Sequence, residues 1–205
     1  MEEQVDYLYK VYKPYGMLSQ FTSNNPREAR KKRFLGDLFD FPEKTMSVGR
    51  LDEKSEGLLL VTTNGKWSDT INRSGIEKEY YAQLDGNIHD EAIKRLKNGV
   101  TIGFSRTTYT TKPCAVKRLE KEPAFEAANP SIRLARHRPN SWISITITEG
   151  KFRQVRKMTA AVGFPTLRLV RVRVGELLLE PLKPREVIAV NTTSNTFLNT
   201  INRGV

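Results

Sequence analysis

The sequence predicts an α+β fold with a mostly antiparallel sheet. Two observations lead there. Short β-prone segments outnumber helical ones along the 205 residues, and no regular strand–helix alternation builds parallel βαβ units. At this length the chain reads as one domain, or two small lobes sharing one sheet, over residues 1–190, followed by a polar tail at 191–205.

The elements follow in order. Tyr7 to Tyr12 has strand-like composition and runs into Lys13-Pro14-Tyr15-Gly16, a turn by its Pro and Gly. Residues 23–33 are polar and basic and read as an exposed loop, and Phe34 to Phe41 alternates loosely enough for a short helix. Leu58-Leu59-Leu60-Val61 is wholly apolar and ends at the Asn64-Gly65 turn signal, as a strand buried on both faces does. Lys66 to Arg73 looks helical. Lys78 to Leu84 alternates as a strand, with Tyr80, Ala82 and Leu84 on one face and Tyr81 and Gln83 on the other. Asp90 to Lys97 sets Ala92, Ile93 and Leu96 on one helical face, closed by Gly99. Short strands are expected near Val100, over Thr107 to Thr111, and over Cys114 to Leu119.

Residues 121–140, rich in Pro, Ala, Arg and Asn, form a long excursion of the sort that often carries function. Trp142 to Thr148 is β-prone, with Ile143, Ile145 and Ile147 on one face. Phe152 to Val162 spaces Val155, Met158 and Val162 as a helix and stops at Gly163 and Pro165. Leu167 to Val174 is a strand interrupted by Arg168, Arg171 and Arg173. The segment from Asn191 is polar, a loose tail or a surface strand.

Composition narrows the chemistry. One cysteine, Cys114, and no CxxC remove disulfides and thiolate metal sites, and His89 and His137 lack metal-ligand spacing. No metal and no cofactor are expected. No apolar stretch approaches the ~20 residues that span a bilayer, and no signal peptide is evident, so the chain reads as cytoplasmic. The formal net charge is +11. Between Ser131 and Arg185 stand twelve Lys or Arg against three Glu, and a second knot lies at Arg27, Arg30, Lys31, Lys32 and Arg33. Positive charge concentrated this way is the footprint of a polyanion partner. An unpartnered basic surface has the same composition. A membrane partner is disfavoured because no amphipathic helix carries the charge.

The most informative string is Gly49-Arg50-Leu51-Asp52 followed by Ser55-Glu56-Gly57 and the apolar run. A carboxylate at the mouth of a buried strand is costly to desolvate and calls for a cationic partner. Spacing alone allows a surface ion pair equally well. The string, however, closely resembles the G-R-L-D-x-x-(S/T)-(S/E)-G-L-L-(L/V) signature of the RsuA branch of pseudouridine synthases. Lys78-Glu79-Tyr80 resembles that family's K-x-Y strand, and Lys13-Pro14-x-Gly16 its K-P-x-G. Glu149-Gly150-Lys151-Phe152-Arg153-Gln154-Val155-Arg156-Lys157-Met158 resembles its E-G-(K/R)-x-x-Q-(V/I)-R-(R/K)-M helix start. Val162-Gly163-Phe164-Pro165 and Leu167-Arg168-Leu169-Val170-Arg171 are also similar to segments of that branch. The resemblance covers roughly residues 6–188. It is nearest the RluE type, which acts on 23S rRNA, through Gln20-Phe21-Thr22, the Asp-x-x-Ser-Glu-Gly form and the Asn129-Pro130 to Trp142 excursion.

The resemblance implies the pseudouridine synthase fold, an α+β arrangement with a mixed, mostly antiparallel sheet, flanking helices and a central cleft. No S4 domain is expected, since the K-P-x-G segment starts at Lys13. It implies an isomerase that breaks the N1–C1′ bond of a uridine, turns the base and rejoins it through C5. Asp52 would act near C1′ as nucleophile, as stabiliser of oxocarbenium character or as base toward a glycal, and the sequence leaves all three open. Arg156 would be its ionic partner, although its pattern alone better fits a solvated helix face. Tyr80 would stack on the uracil and stand near the C5 proton. Arg50 would hold the opened RNA by stacking and phosphate contact. Arg153, Lys157, Arg168 and Arg171 are candidates for phosphate contact at the rim, and Lys13, Lys78, Gln154 and Leu169 complete the substrate-binding set. The partner implied is 23S rRNA or an early large-subunit assembly intermediate, with no DNA and a monomeric chain. A sister synthase acting on another rRNA uridine, and a non-catalytic RNA-binding assembly protein, are the alternatives.

Overall fold

The computed structural model describes residues 5–73, 75–132 and 139–191. The tail expected at 191–205 lies outside these beyond Asn191, as does part of the excursion. The chain divides into two compact units, one formed by Met1–Ile76 with Arg171–Val205 and the other by Glu77–Val170. In chain order the strands are β1 (Leu8–Lys13), β2 (Met46–Val48), β3 (Glu56–Thr62), β4 (Lys78–Asp85), β5 (Thr101–Gly103) and β6 (Thr108–Thr110). They continue with β7 (Ala115–Leu119), β8 (Asn140–Ile147), β9 (Thr166–Val174), β10 (Leu177–Leu178) and β11 (Val187–Ala189). The helices are α1 (Pro26–Lys31), α2 (Gly65–Arg73), α3 (Asp90–Asn98) and α4 (Gln154–Ala161).

In the first unit β3 is the centre. All seven of its residues are buried, the outcome a wholly apolar run demands when both faces are covered. It pairs antiparallel with β1, in a register that sets Leu8 opposite Thr62 and Lys13 opposite Gly57, and β1 pairs antiparallel with β11. β2 adds to β3 with Val48 opposite Leu60. Asn64 caps α2: its Oδ1 accepts the N–H groups of Lys66 and Trp67 at 2.9 and 3.1 Å.

Two expectations fail in this unit. Residues 23–33 are exposed as expected but contain α1, because Asn25 Oδ1 accepts Arg27 N–H at 3.0 Å and Pro26 presets the first helical turn. Phe34 to Phe41 is not a helix beyond a 3-10 turn at Leu35–Asp37. The ring of Phe41 meets those of Tyr9 and Phe21 edge-on at 5.5 and 5.4 Å, and Phe39 joins the cluster. Aromatic packing onto β1 sets that segment's path.

In the second unit β8 lies between β4 and β7, both pairings antiparallel. Tyr80 is opposite Ile145 and Ala82 opposite Ile143, so the expected apolar faces coincide and are buried. The other face is buried too, at Gln83, Trp142 and Ser144. The described part of the excursion lies against it. Phe125 sits 6.0 Å from Trp142 and 6.1 Å from Tyr81, ring centre to ring centre. β5 and β6 form a separate hairpin. Helix α3 begins at His89, whose Nδ1 accepts Ala92 N–H at 3.2 Å, and buries Ala92, Ile93 and Leu96 as its periodicity required.

Gly99 ends α3 at φ +93°, and a Cβ there would come within 2.2 Å of the Thr111 carbonyl oxygen. Thr111 is bound to the same segment, its Oγ1 accepting Val100 N–H at 3.0 Å. Gly99→Ala therefore should cost about 3 kcal/mol of unfolding free energy through left-handed strain and overlap. Urea midpoints measure it, and a midpoint equal to wild type would show that this junction yields freely.

Candidate active site

The signature loop joins β2 to β3 and its shape follows from a few contacts. Gly49 turns at φ +66°, where a Cβ would fall 2.8 Å from Asn72 Oδ1. Leu51 is buried, and Ser19 clasps its backbone: Ser19 Oγ accepts Leu51 N–H at 3.0 Å and donates to Leu51 O at 2.8 Å. Asp52 opens a turn in which Ser55 N–H donates to Asp52 O at 2.9 Å and Ser55 Oγ approaches Asp52 Oδ2 at 3.5 Å. Asp52 is half-buried, and Arg50 before it is exposed. Anchored neighbours thus fix a carboxylate that keeps access to solvent.

The K-P-x-G segment closes on this loop. Gly16 N–H donates to Glu53 O at 2.8 Å, and Lys32 Nζ pairs with Glu53 Oε1 at 2.7 Å. Lys13 has no exposed surface. Its Nζ donates to Met17 O at 2.8 Å, Pro14 O at 3.0 Å and Glu53 O at 3.4 Å. Three donors meet three carbonyls, so the ammonium ties both loops together. Lys13 is thereby corrected from an RNA contact to an internal brace. Arg171 is likewise buried rather than at a rim, with Nε donating to Leu58 O at 2.6 Å.

Burial pushes the Lys13 ammonium down to about 7, opposed by the negative charges of Glu56, Asp52 and Glu53 and reinforced by Arg171. The folded group then binds fewer protons than the unfolded one above that value, so stability rises with pH. Burial and the Glu149 charge push the Cys114 thiol up to about 11, and because an unfolded thiol ionises at about 8.5, the stability this group takes away with rising pH is lost above that value. Between about pH 7 and about pH 8.5, Lys13 should add roughly 1.5 kcal/mol to the unfolding free energy. Urea melts across that window should show the rise in wild type and a flatter profile in Lys13→Met. An equal slope in both proteins would remove Lys13 as its source.

The second unit carries the remaining candidates. Tyr80 is buried on β4, while Tyr81 faces Phe125 on the opposite side. Lys78 is half-buried at the start of the strand. The turn before α4 is built around Glu149, which accepts the Tyr109 hydroxyl, Lys112 N–H at 2.9 Å and Gln154 Nε2 at 2.6 Å. Burial raises the Glu149 carboxyl, but these three donors and the Lys112 charge outweigh it and leave the group below its usual range. Gln154 Oε1 accepts Lys151 N–H at 2.9 Å. Gln154 is thus a buried part of the turn, a correction to its expected place against RNA. Arg153 is exposed in the left-handed region at φ +52°. Arg156 is half-buried, with Nη1 donating to Thr166 O at 3.2 Å. Lys157 Nζ donates to Gly103 O at 2.8 Å.

Arg168 and Leu169 require correction as well. Arg168 is buried, its Nη1 donating to Glu126 O at 2.9 Å and its guanidinium 5.4 Å from the Phe125 ring centre. It secures the excursion instead of facing phosphate. Leu169 is core. The structure gathers Lys13, Asp52 and Arg171 in the first unit, and Tyr80, Arg156 and their neighbours in the second. Sequence reasoning missed Ser19, an isolated serine with no motif around it, and the part Glu53 and Glu56 play around Lys13. The acidic spacing of Asp52-Glu53-x-x-Glu56 was the available signal.

The profile of the RNA pseudouridylate synthase family matches residues 7–161. The ribosomal large subunit pseudouridine synthase E of Xanthomonas axonopodis pv. citri (strain 306) is 39% identical over 189 residues, 91% of this chain and 95% of that protein. Its namesake in Vibrio parahaemolyticus serotype O3:K6 is 37% identical over 174 residues, covering 84% of this chain and 68% of that one. A crystal structure of a pseudouridylate synthase superposes with a TM-score of 0.74 at 24% identity, over 100% of this chain and 76% of the other, a likeness of fold. With a family profile spanning most of the chain, and relatives alike over nearly its whole length, the chain belongs to the RNA pseudouridylate synthases.

Proposed function

We propose that this chain isomerises one uridine of 23S rRNA, in the peptidyl-transferase region, acting as a monomer on naked rRNA or an early assembly intermediate. The observation that carries the target is the 39% identity, over 91% of the chain, to a relative named for the large ribosomal subunit. The chemistry rests on the Asp52 turn. The N1–C1′ bond breaks, the uracil rotates, and C5 bonds to C1′; C5 gives up a proton and N1 takes one. Atoms and electrons balance within the substrate, so the reaction calls for no cofactor.

In this reading Asp52 works at C1′, where a fixed, solvent-reachable carboxylate can add as a nucleophile, stabilise positive charge or remove a ribose proton. Tyr80 offers its ring to the uracil and its hydroxyl to the departing C5 proton. Arg50, exposed beside the turn, holds RNA whose base has left its stack. The basic knot of α1 and the following residues, exposed throughout except for half-buried Lys32, meets phosphate.

Incubation with naked 23S rRNA, 16S rRNA, tRNA and mature 50S subunits, followed by carbodiimide mapping, tests this reading. One pseudouridine on naked 23S rRNA, absent with Asp52→Asn and slow to form on 50S subunits, is the expected result. Modification confined to 16S rRNA or tRNA would move the target to a sister enzyme, and turnover by Asp52→Asn would take the carboxylate out of the mechanism.

A further inference from the structure

The turn that opens α4 displays an aromatic ring that no packing explains. Phe152 is 69% exposed, although a phenyl ring gains by leaving water. One cation stands over it, and further cations and rings lie along the same turn and the β5–β6 hairpin. Lys157 Nζ stands 5.5 Å from the Phe152 ring centre and 3.6 Å from that of Phe104. Lys151 Nζ stands 4.9 Å from the ring centre of Tyr109, and exposed Arg153 follows directly.

The frame is stiff. Lys157 is held by Gly103 O at 2.8 Å, and the Tyr109 hydroxyl donates to Glu149, which also accepts Gln154. The β5–β6 hairpin and the α4 turn are therefore fastened to one another within this unit, and the Phe152 ring projects from a rigid base. An exposed ring beside a fixed cation, with two more basic residues in the same turn, suits a ligand with a flat π-face and a negatively charged backbone on either side. A protein partner would call for a broader apolar patch than one ring.

We propose that Phe152 is a stacking platform for an unpaired base of the substrate RNA, with Lys151, Arg153 and Lys157 meeting the flanking phosphates. This rests on the reading of the chain as an enzyme acting on RNA, and it adds a contact outside the catalytic set. Binding of a labelled oligouridylate, and of a blunt RNA duplex of equal length, should be measured by anisotropy for wild type, Phe152→Ala, Phe152→Leu and Phe152→Trp. Pseudouridine yield on 23S rRNA is followed in parallel.

Loss of the ring in the Ala and Leu variants should weaken oligouridylate binding about 10-fold, with Trp retaining it. Duplex affinity should stay within about twofold, since its bases are already stacked and only phosphates are met. Equal oligouridylate affinity for wild type and Phe152→Ala would overturn the platform, as would an equal loss on both ligands. Phe152-dependent binding without any pseudouridine would leave the platform standing and remove the enzymatic reading. Full activity with indifference to Phe152 would do the reverse.

Discussion

Lys13 places a primary amine where no water reaches it, and the shape of the first unit's candidate site depends on what that amine holds. Desolvating an ammonium costs several kcal/mol even after relaxation. Carbonyls of Pro14, Met17 and Glu53 offset part of that cost, and the carboxylates of Asp52, Glu53 and Glu56 offset more. The same three carbonyls come from two loops far apart in sequence. Their shared donor therefore joins the Gly16–Glu53 backbone bond in holding the K-P-x-G turn against the signature turn, and with it the backbone that carries Asp52. Ser19 completes the arrangement by holding Leu51 at both its N–H and its carbonyl.

The second unit solves its own positioning problem with a different device. Glu149 collects donors from β6, from the strand-to-strand connection and from α4. A carboxylate that accepts several hydrogen bonds stays ionised and orders everything that donates to it. Arg168 does comparable work on the far face of the sheet, fixing the path of the excursion through Glu126 and Phe125. In both units charged side chains serve first as anchors for irregular backbone.

Elements with a clear period were readable in advance. Leu58 to Val61, the face of Ala92, Ile93 and Leu96, and the face of Ile143, Ile145 and Ile147 all lie where alternation or helical spacing puts them. Short elements decided by tertiary packing were not. The Asn25-Pro26 cap of α1 was masked by its basic composition, and Phe39 and Phe41 followed the ring of Tyr9 instead of a helical period. β2, β10 and β11 are too short to announce themselves. At the site, motifs offered Asp52, Tyr80 and Arg156 as candidates, but a basic side chain gives no sign in sequence of whether it faces water. Lys13, Arg168 and Arg171 are buried because particular carbonyls await them, and those of Glu53, Glu126 and Leu58 belong to distant segments.

The order of the strands also bears on how the chain emerges during synthesis. Unit two, Glu77–Val170, is one continuous stretch and can complete itself as soon as it has left the ribosome. Unit one cannot. Its first strand, β1, keeps one edge open until β11 arrives to pair Tyr9 with Ala189. An open edge is a hazard for misassociation while translation proceeds. The nascent protein thus carries a finished insert within an unfinished frame, and the frame closes only when nearly the last described residue has been made.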